Sequence, residues 1–246
     1  LGANPCDMTD PPRPIKKIMR TLTPVEVEHL LEVAKESYYY PIIYFAVSTG
    51  LRLAEILGLR WRDIDLDMLS ISVNQVLYKR NGVTTFKEPK TQHSRRRISM
   101  TPKLAAMLRD YKTNREWLYI QSNKLFALDD LLFTTYRGQP FNPSVIGHNF
   151  RKIALQANLS GVRFHDLRHT FASLMLLRGV SPKIISEALG HSSVAFTMDT
   201  YSHIIDGMQS DAMALLDEVL PAGINGVSQK NNANLTPIVN IMALKN

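Results

Sequence analysis

Cysteine is nearly absent: Cys6 is the one thiol in 246 residues. A disulfide within the chain is therefore excluded, and so is a zinc site built from several cysteines. A reducing cytoplasm is the expected setting. Long apolar runs are absent too. None approaches the roughly 20 residues that a membrane-spanning helix needs, so no membrane partner is expected. Residues Leu1–Arg20 mix charges with Pro5, Pro11, Pro12 and Pro14 and lack the apolar core of a signal peptide. No Gly-x4-Gly-Lys-Ser/Thr loop, Gly-x-Ser-x-Gly elbow or Gly-x-Gly-x-x-Gly fingerprint occurs, which removes the common nucleotide-binding and hydrolase signatures. No internal repeat is visible.

What is present is ordinary globular composition, 45% hydrophobic and 21% charged, which leaves no room for a disordered, collagen-like or coiled-coil reading. Lys and Arg number 29 against 22 Asp and Glu, a formal net charge of +7. The excess is local. Lys79, Arg80, Lys87, Lys90, Arg95, Arg96 and Arg97 stand within one short stretch against Glu88 alone. Such density suits phosphates, because each neutralised phosphate releases counterions. A solvated basic loop is the plainer alternative for the charge taken by itself.

Residues 1–20 read as a linker, since four prolines forbid regular helix there. Thr23-Pro24-Val25-Glu26 predicts a capped helix start, with Val27, Leu30, Leu31 and Ala34 on its apolar face. A short apolar helix over 41–48 stops at Gly50, and another begins near Leu51. Between Ile64 and Met100 the period changes to two. Strands are expected around 71–76, 83–86 and 97–100, with Asn81-Gly82 as a hairpin turn. They predict one small antiparallel sheet of about three strands. The chain then turns helical again: from Pro102, over 143–157 and 166–178, after Ser181-Pro182, and over 192–204 and 208–220. Beyond Pro221 come a polar stretch, 223–234, and a short apolar tail, 238–244. The expected organisation is a linker over 1–20, a mainly helical α+β domain with a small sheet over 21–221, and a flexible tail over 222–246.

The chemistry-bearing residues are cations, histidines and one tyrosine. They lie in five motifs: TGLRLAE (49–55), PKTQHSRR (89–96), HDLRHTFAS (165–173), LGHSS (189–193) and MDTYSH (198–203). His165 and His169, four apart on one helix face, also fit the spacing of zinc proteases. Against zinc stand an Asp in place of the expected Glu, no marked third ligand and a strongly basic chain. Arg52, read alone, is a solvated helix-start arginine. Tyr201, read alone, is one packing tyrosine among nine.

Taken together, the five motifs resemble the catalytic domain of the tyrosine recombinases of the phage integrase type, in the family's order and near its spacings. The resemblance runs from about Leu22 to Leu220. It implies the mixed, mainly helical fold of DNA breaking–rejoining enzymes, with a small antiparallel sheet. It further implies site-specific recombination and integration of DNA for a phage or other mobile element. Tyr201 would attack a phosphodiester, leaving a 3′-phosphotyrosyl link and a free 5′-hydroxyl. Arg52 and Arg168 would clamp the nonbridging oxygens, since guanidinium forks fit phosphate. Lys90 would protonate the departing 5′-oxygen, and His165 would accept or position the proton of Tyr201. His191 would hydrogen-bond a phosphate oxygen, and Glu55 would support Arg52. His169 is read as a buried, hydrogen-bonding structural histidine, and Arg95 to Arg97 and His203 as DNA-facing or solvated. No metal or other cofactor is implied.

The resemblance also implies double-stranded DNA as partner, a homotetramer assembled on it, accessory DNA-bending proteins, and a tail that docks in trans. An upstream DNA-binding domain would precede the linker. Two rivals share these residues: a type IB topoisomerase, which only relaxes DNA, and a DNA-binding remnant without catalysis. The zinc hydrolase is the third.

Overall fold

The structure is a computed structural model and describes residues 19–89, 95–123, 125–191 and 193–202. Capping sets where its helices begin. Helix α1 (Pro24–Ala34) starts on a capping box: Thr23 accepts from the Glu26 backbone N–H, and Glu26 accepts from the Thr23 N–H at 2.8 Å. Helix α2 (Tyr40–Thr49) is apolar on nearly every side, burying Ile42, Ile43, Phe45, Ala46 and Val47. That pattern belongs to a helix surrounded by others, and α2 packs against α1, the short α3 (Leu53–Ile56), α4 (Pro102–Gln121) and α6 (Asp166–Leu177). Helix α5 (Pro143–Gln156) lies on α1. Helix α7 (Pro182–Leu189) starts on Ser181, whose hydroxyl accepts from the Ile184 N–H, and stops at Gly190 with φ +67°. Residues 194–202 are helical again.

The strands form two sheets rather than the single one expected. β1 (Ile64–Asp65), β2 (Ser70–Val73) and β5 (Arg96–Ser99) make an antiparallel sheet in the order β1-β2-β5. β3 (Val76–Arg80) and β4 (Val83–Lys87) pair separately as a hairpin. The Asn81-Gly82 turn between them has positive φ at both residues, 50° and 80°, as a tight primed turn demands. The division follows burial. β2 contributes Ile71 and Val73 to the core, whereas β4 is exposed along both faces. β3 is held to the core by Leu77 and its packing on α3, while β4 covers no core, so the hairpin pairs apart from the core sheet.

The mainly helical α+β class is thus found, with the expected strands around 71–76 and 97–100 realised as β2 (Ser70–Val73) and β5 (Arg96–Ser99) in the core sheet. Residues 1–18, the final predicted helix over 208–220 and the tail over 222–246 lie outside the described residues. Among the described residues no helix is long and apolar enough to cross a membrane.

Candidate active site

The C-terminal end of α7 organises the site. Its last carbonyls have no partner within the helix and carry the negative end of the dipole. Three arginines from three other elements meet them in succession. Arg96 Nε donates to the Ala188 carbonyl at 2.7 Å, Arg168 Nη2 to that of Leu189 at 2.8 Å, and Arg52 Nη2 reaches that of Gly190 at 3.5 Å. Gly190 is required there twice over. Its φ is in the left-handed region, and a Cβ would stand 2.7 Å from Arg96 Nη1.

Each arginine is held by its own local structure. Arg52 is the residue before α3, where its extended backbone lets Glu55, one turn on, accept its backbone N–H at 2.9 Å. Glu55 Oε1 also takes Arg52 Nη1 at 2.9 Å. Arg96 opens β5 and gives Nη1 and Nη2 to the same carboxylate at 3.1 and 3.0 Å. Burial alone would raise the Glu55 carboxyl, but the hydrogen bonds and charge of Arg96, with those of Arg52, hold it below the ordinary carboxylate range. Arg168, in the first turn of α6, is buried and also donates Nη1 to the Gly50 carbonyl at 2.8 Å. Burial first, then the charge of Arg52, pushes its guanidinium down to about 9, still cationic at neutral pH.

His191 follows Gly190 and is fixed by Thr197, with Nδ1 2.7 Å from Oγ1. Burial and the nearby arginines, Arg168 before Arg52, lower its imidazole to about 4, so it is neutral at pH 7. In the tautomer in which Thr197 donates to Nδ1, the proton sits on Nε2 and the ring can donate a hydrogen bond. His165 is exposed at the entry to α6. Partial desolvation and the charge of Arg168 hold it below the usual histidine value.

Tyr201 lies in the helical stretch 194–202 and is 1% exposed. Its hydroxyl is 2.9 Å from Nδ1 of His169, on α6. Burial raises the phenol to about 12 against the opposing pull of Arg168. His169 is itself lowered to about 4, by burial and then by His165. The neutral ring therefore shares one hydrogen bond with the phenol through Nδ1, and its buried Nε2 has no partner among the described residues.

The structure thus gathers Arg52, Glu55, Arg168, His191 and Tyr201 around one helix end, with His165 at its rim. Lys90 lies outside the described residues. His169 is the buried, hydrogen-bonding histidine expected, and its partner is the hydroxyl of Tyr201. The available signal was burial: a histidine flanked by Leu167, Thr170 and Ala172 on an inward face must find a partner. Arg96 is not solvated, as the basic stretch suggested, but has only 8% of its side chain exposed. Its neighbours Arg95 and Arg97 are exposed as expected. His165 and His169 meet edge to face at 5.1 Å. Among the described residues, no group of three or more His, Cys, Asp or Glu is placed to hold a metal ion.

Comparison with known proteins agrees with this geometry. The model of the phage integrase family matches residues 20–207. A tyrosine recombinase XerC-like protein of Caldanaerobacter subterraneus subsp. tengcongensis is 28% identical over 237 residues, covering 89% of this chain and 61% of that protein. The ICEBs1 integrase of Bacillus subtilis is 29% identical over 222 residues, covering 89% of this chain and 60% of that protein. The chain spans about three fifths of the length of these curated relatives. Among solved structures, the Tn1549 transposon integrase in complex with circular intermediate DNA superposes with a TM-score of 0.68 at 26% identity, over 87% of this chain and 71% of that one. The XerA recombinase superposes with a TM-score of 0.63 at 26% identity, over 82% and 67%.

Proposed function

Because the chain belongs to the phage integrase family, we propose that it is the catalytic part of a site-specific DNA recombinase. The observation that carries the reading is the convergence of Arg52 and Arg168 on adjacent carbonyls, Gly190 and Leu189, beside His191 and a tyrosine docked on the helix of Arg168.

Phosphoryl transfer needs fixed charge where the nonbridging oxygens gain it. Arg52, with 41% of its side chain exposed, and Arg168 behind it provide that charge without rearrangement. His191, neutral and anchored by Thr197, donates a hydrogen bond to one oxygen. Tyr201 Oη forms a bond to phosphorus as the bond from phosphorus to the 5′-oxygen breaks. Lys90 gives the leaving oxygen its proton. Released from His169, which holds the hydroxyl at rest, the phenol gives up its proton toward His165 at the rim. The product is a 3′-phosphotyrosyl link. Attack by a 5′-hydroxyl from another strand reverses the step, so the bond's energy is retained and no nucleotide cofactor is consumed.

Residues 21–221 form the catalytic domain in this reading, and 222–246 form a tail that docks on a neighbouring protomer. The working species is a homotetramer on double-stranded DNA, assisted by accessory DNA-bending proteins, in the cytoplasm.

The test uses a labelled suicide duplex on a denaturing gel. The chain should form a covalent protein–DNA product, and Tyr201→Phe should abolish it while keeping DNA affinity. Exchange of strands between two marked duplexes separates recombination from relaxation of one circle. Persisting covalent product in Tyr201→Phe would move the nucleophile elsewhere.

A further inference from the structure

Arg96 has no part in the steps above, yet its bonds tie together the groups that hold the other two arginines. The Glu55 carboxylate lies between two guanidinium groups. Oε1 accepts from Arg52 Nη1 and Arg96 Nη1; Oε2 accepts from the Arg52 backbone N–H and Arg96 Nη2. With Arg52 as its only cation, Glu55 would make a neutral pair, and its carboxylate would repel an incoming phosphate. Arg96 changes the balance to two cations against one anion. Exposure follows the same division: 4% of the Glu55 side chain and 8% of Arg96 are exposed, against 41% of Arg52. The buried ions compensate each other, and the remaining charge faces solvent.

Arg96 also fixes the helix end. Its Nε holds the Ala188 carbonyl, directly before the carbonyls that receive Arg168 and Arg52. The guanidinium packs so closely under Gly190 that a Cβ there would push it aside. Moving Arg96 therefore moves the acceptors that orient the other two arginines.

We propose that Arg96 is a positioning residue of the phosphate site: it offsets Glu55, so that Arg52 faces the phosphate as an uncompensated cation, and it sets the α7 end on which Arg52 and Arg168 converge. The proposal takes its chemistry from the recombinase reading, but its electrostatics hold for any phosphate at Arg52.

Three variants test it: Arg96→Gln, Glu55→Gln and the double variant. Two quantities are measured on each. One is the rise in melting temperature given by inorganic phosphate over chloride at equal ionic strength. The other is single-turnover cleavage of the suicide duplex at saturating DNA, with DNA affinity measured alongside. Arg96→Gln leaves Arg52 neutralised by Glu55. Arg168 then remains as the uncompensated cation, so the phosphate-dependent rise should shrink and cleavage should fall by about tenfold to a hundredfold, the effect of losing charge-assisted hydrogen bonds, with DNA affinity little changed. Glu55→Gln removes the anion and keeps both cations, so it should keep the phosphate-dependent rise. The double variant removes the carboxylate from the Arg96→Gln background, so the rise should grow again and cleavage should recover in part.

A double variant as poor as, or worse than, Arg96→Gln in both measurements overturns the proposal, because a purely structural role gives no recovery. Should Arg96→Gln fail to fold, Arg96→Lys decides. It keeps the charge and loses the fork, so it should keep the phosphate-dependent rise while cleavage drops; loss of that rise in a folded Arg96→Lys overturns the proposal. If phosphate responds as described but the unaltered chain never forms covalent product, the recombinase reading fails and the role of Arg96 stands.

Discussion

The hydroxyl of Tyr201 rests on Nδ1 of His169 at 2.9 Å, with both residues buried. A phenol so enclosed cannot touch a duplex, so attack requires the 194–202 helix to release it. The hydrogen bond belongs to the resting state, and its worth is measurable. His169→Leu leaves a buried hydroxyl without its partner and should destabilise the fold by about 1–3 kcal/mol. Tyr201→Phe removes the hydroxyl as well. A double-mutant cycle by urea unfolding should therefore show coupling of about 1 kcal/mol between the two positions. Strict additivity would mean that the two side chains do not meet.

Two neutral imidazoles, His169 buried and His191 half-buried, make stability depend on pH. His169 and His191 are each lowered from 6.5 to about 4, burial being the main cause. Between those values the unfolded chain binds more protons than the folded one, so stability is complete above pH 6.5 and declines as pH falls toward 4. Glu55 and Asp63, held below ordinary carboxylate values, add their loss only at lower pH. Urea midpoints at pH 7.5, 5.5 and 4.5 should fall in order, and His191→Gln should flatten the decline. A level midpoint across this range would contradict the neutral rings.

The exposed β3–β4 hairpin carries Lys79, Arg80 and Lys87, the last lying 4.3 Å over the ring of Tyr78. Nothing in the core needs this charge. Replacing all three by Gln should leave thermal stability nearly unchanged. The salt dependence of DNA binding should become shallower by roughly 0.9 for each phosphate that is no longer neutralised, or about 2–3 in slope. Fluorescence anisotropy over a salt series measures it. An unchanged slope would remove the hairpin from the DNA-facing surface.

Local signals carried far along this sequence. Thr23-Glu26, Ser181-Pro182 and Asn81-Gly82 fix their caps and turn through neighbouring residues only, and each is found where expected. The motifs placed Arg52, Arg168, His191 and Tyr201 in one cluster because each motif is short and self-contained. What stayed hidden depends on distant partners. Arg96 looks like Arg95 and Arg97 in sequence, and only the docking of β5 against α3 and α7 turns one of the three inward. The alternation of a strand allows this, since neighbours point to opposite faces, but which face is buried is decided by tertiary packing. The same holds for His169, whose partner lies in another helix. The division of the strands into two sheets turned on whether β4 would find a core to cover, which its residues alone do not say.

Lys90 offers the sharpest chemical test. It belongs to the connection between β4, ending at Lys87, and β5, whose first residue is anchored on Glu55. In the proposed reaction the departing 5′-oxygen is a poor leaving group without a proton, and Lys90 is the group proposed to supply it. Lys90→Ala should slow cleavage by about 10²-fold or more, as removal of a general acid does. A duplex with sulfur in place of the bridging 5′-oxygen releases a thiolate that needs no proton, so on that substrate Lys90→Ala should approach the rate of the unaltered chain. Arg52→Ala should gain nothing from sulfur, since its charge acts on the nonbridging oxygens. Equal defects of Lys90→Ala on oxygen and sulfur would make Lys90 a phosphate contact and leave the proton to another group.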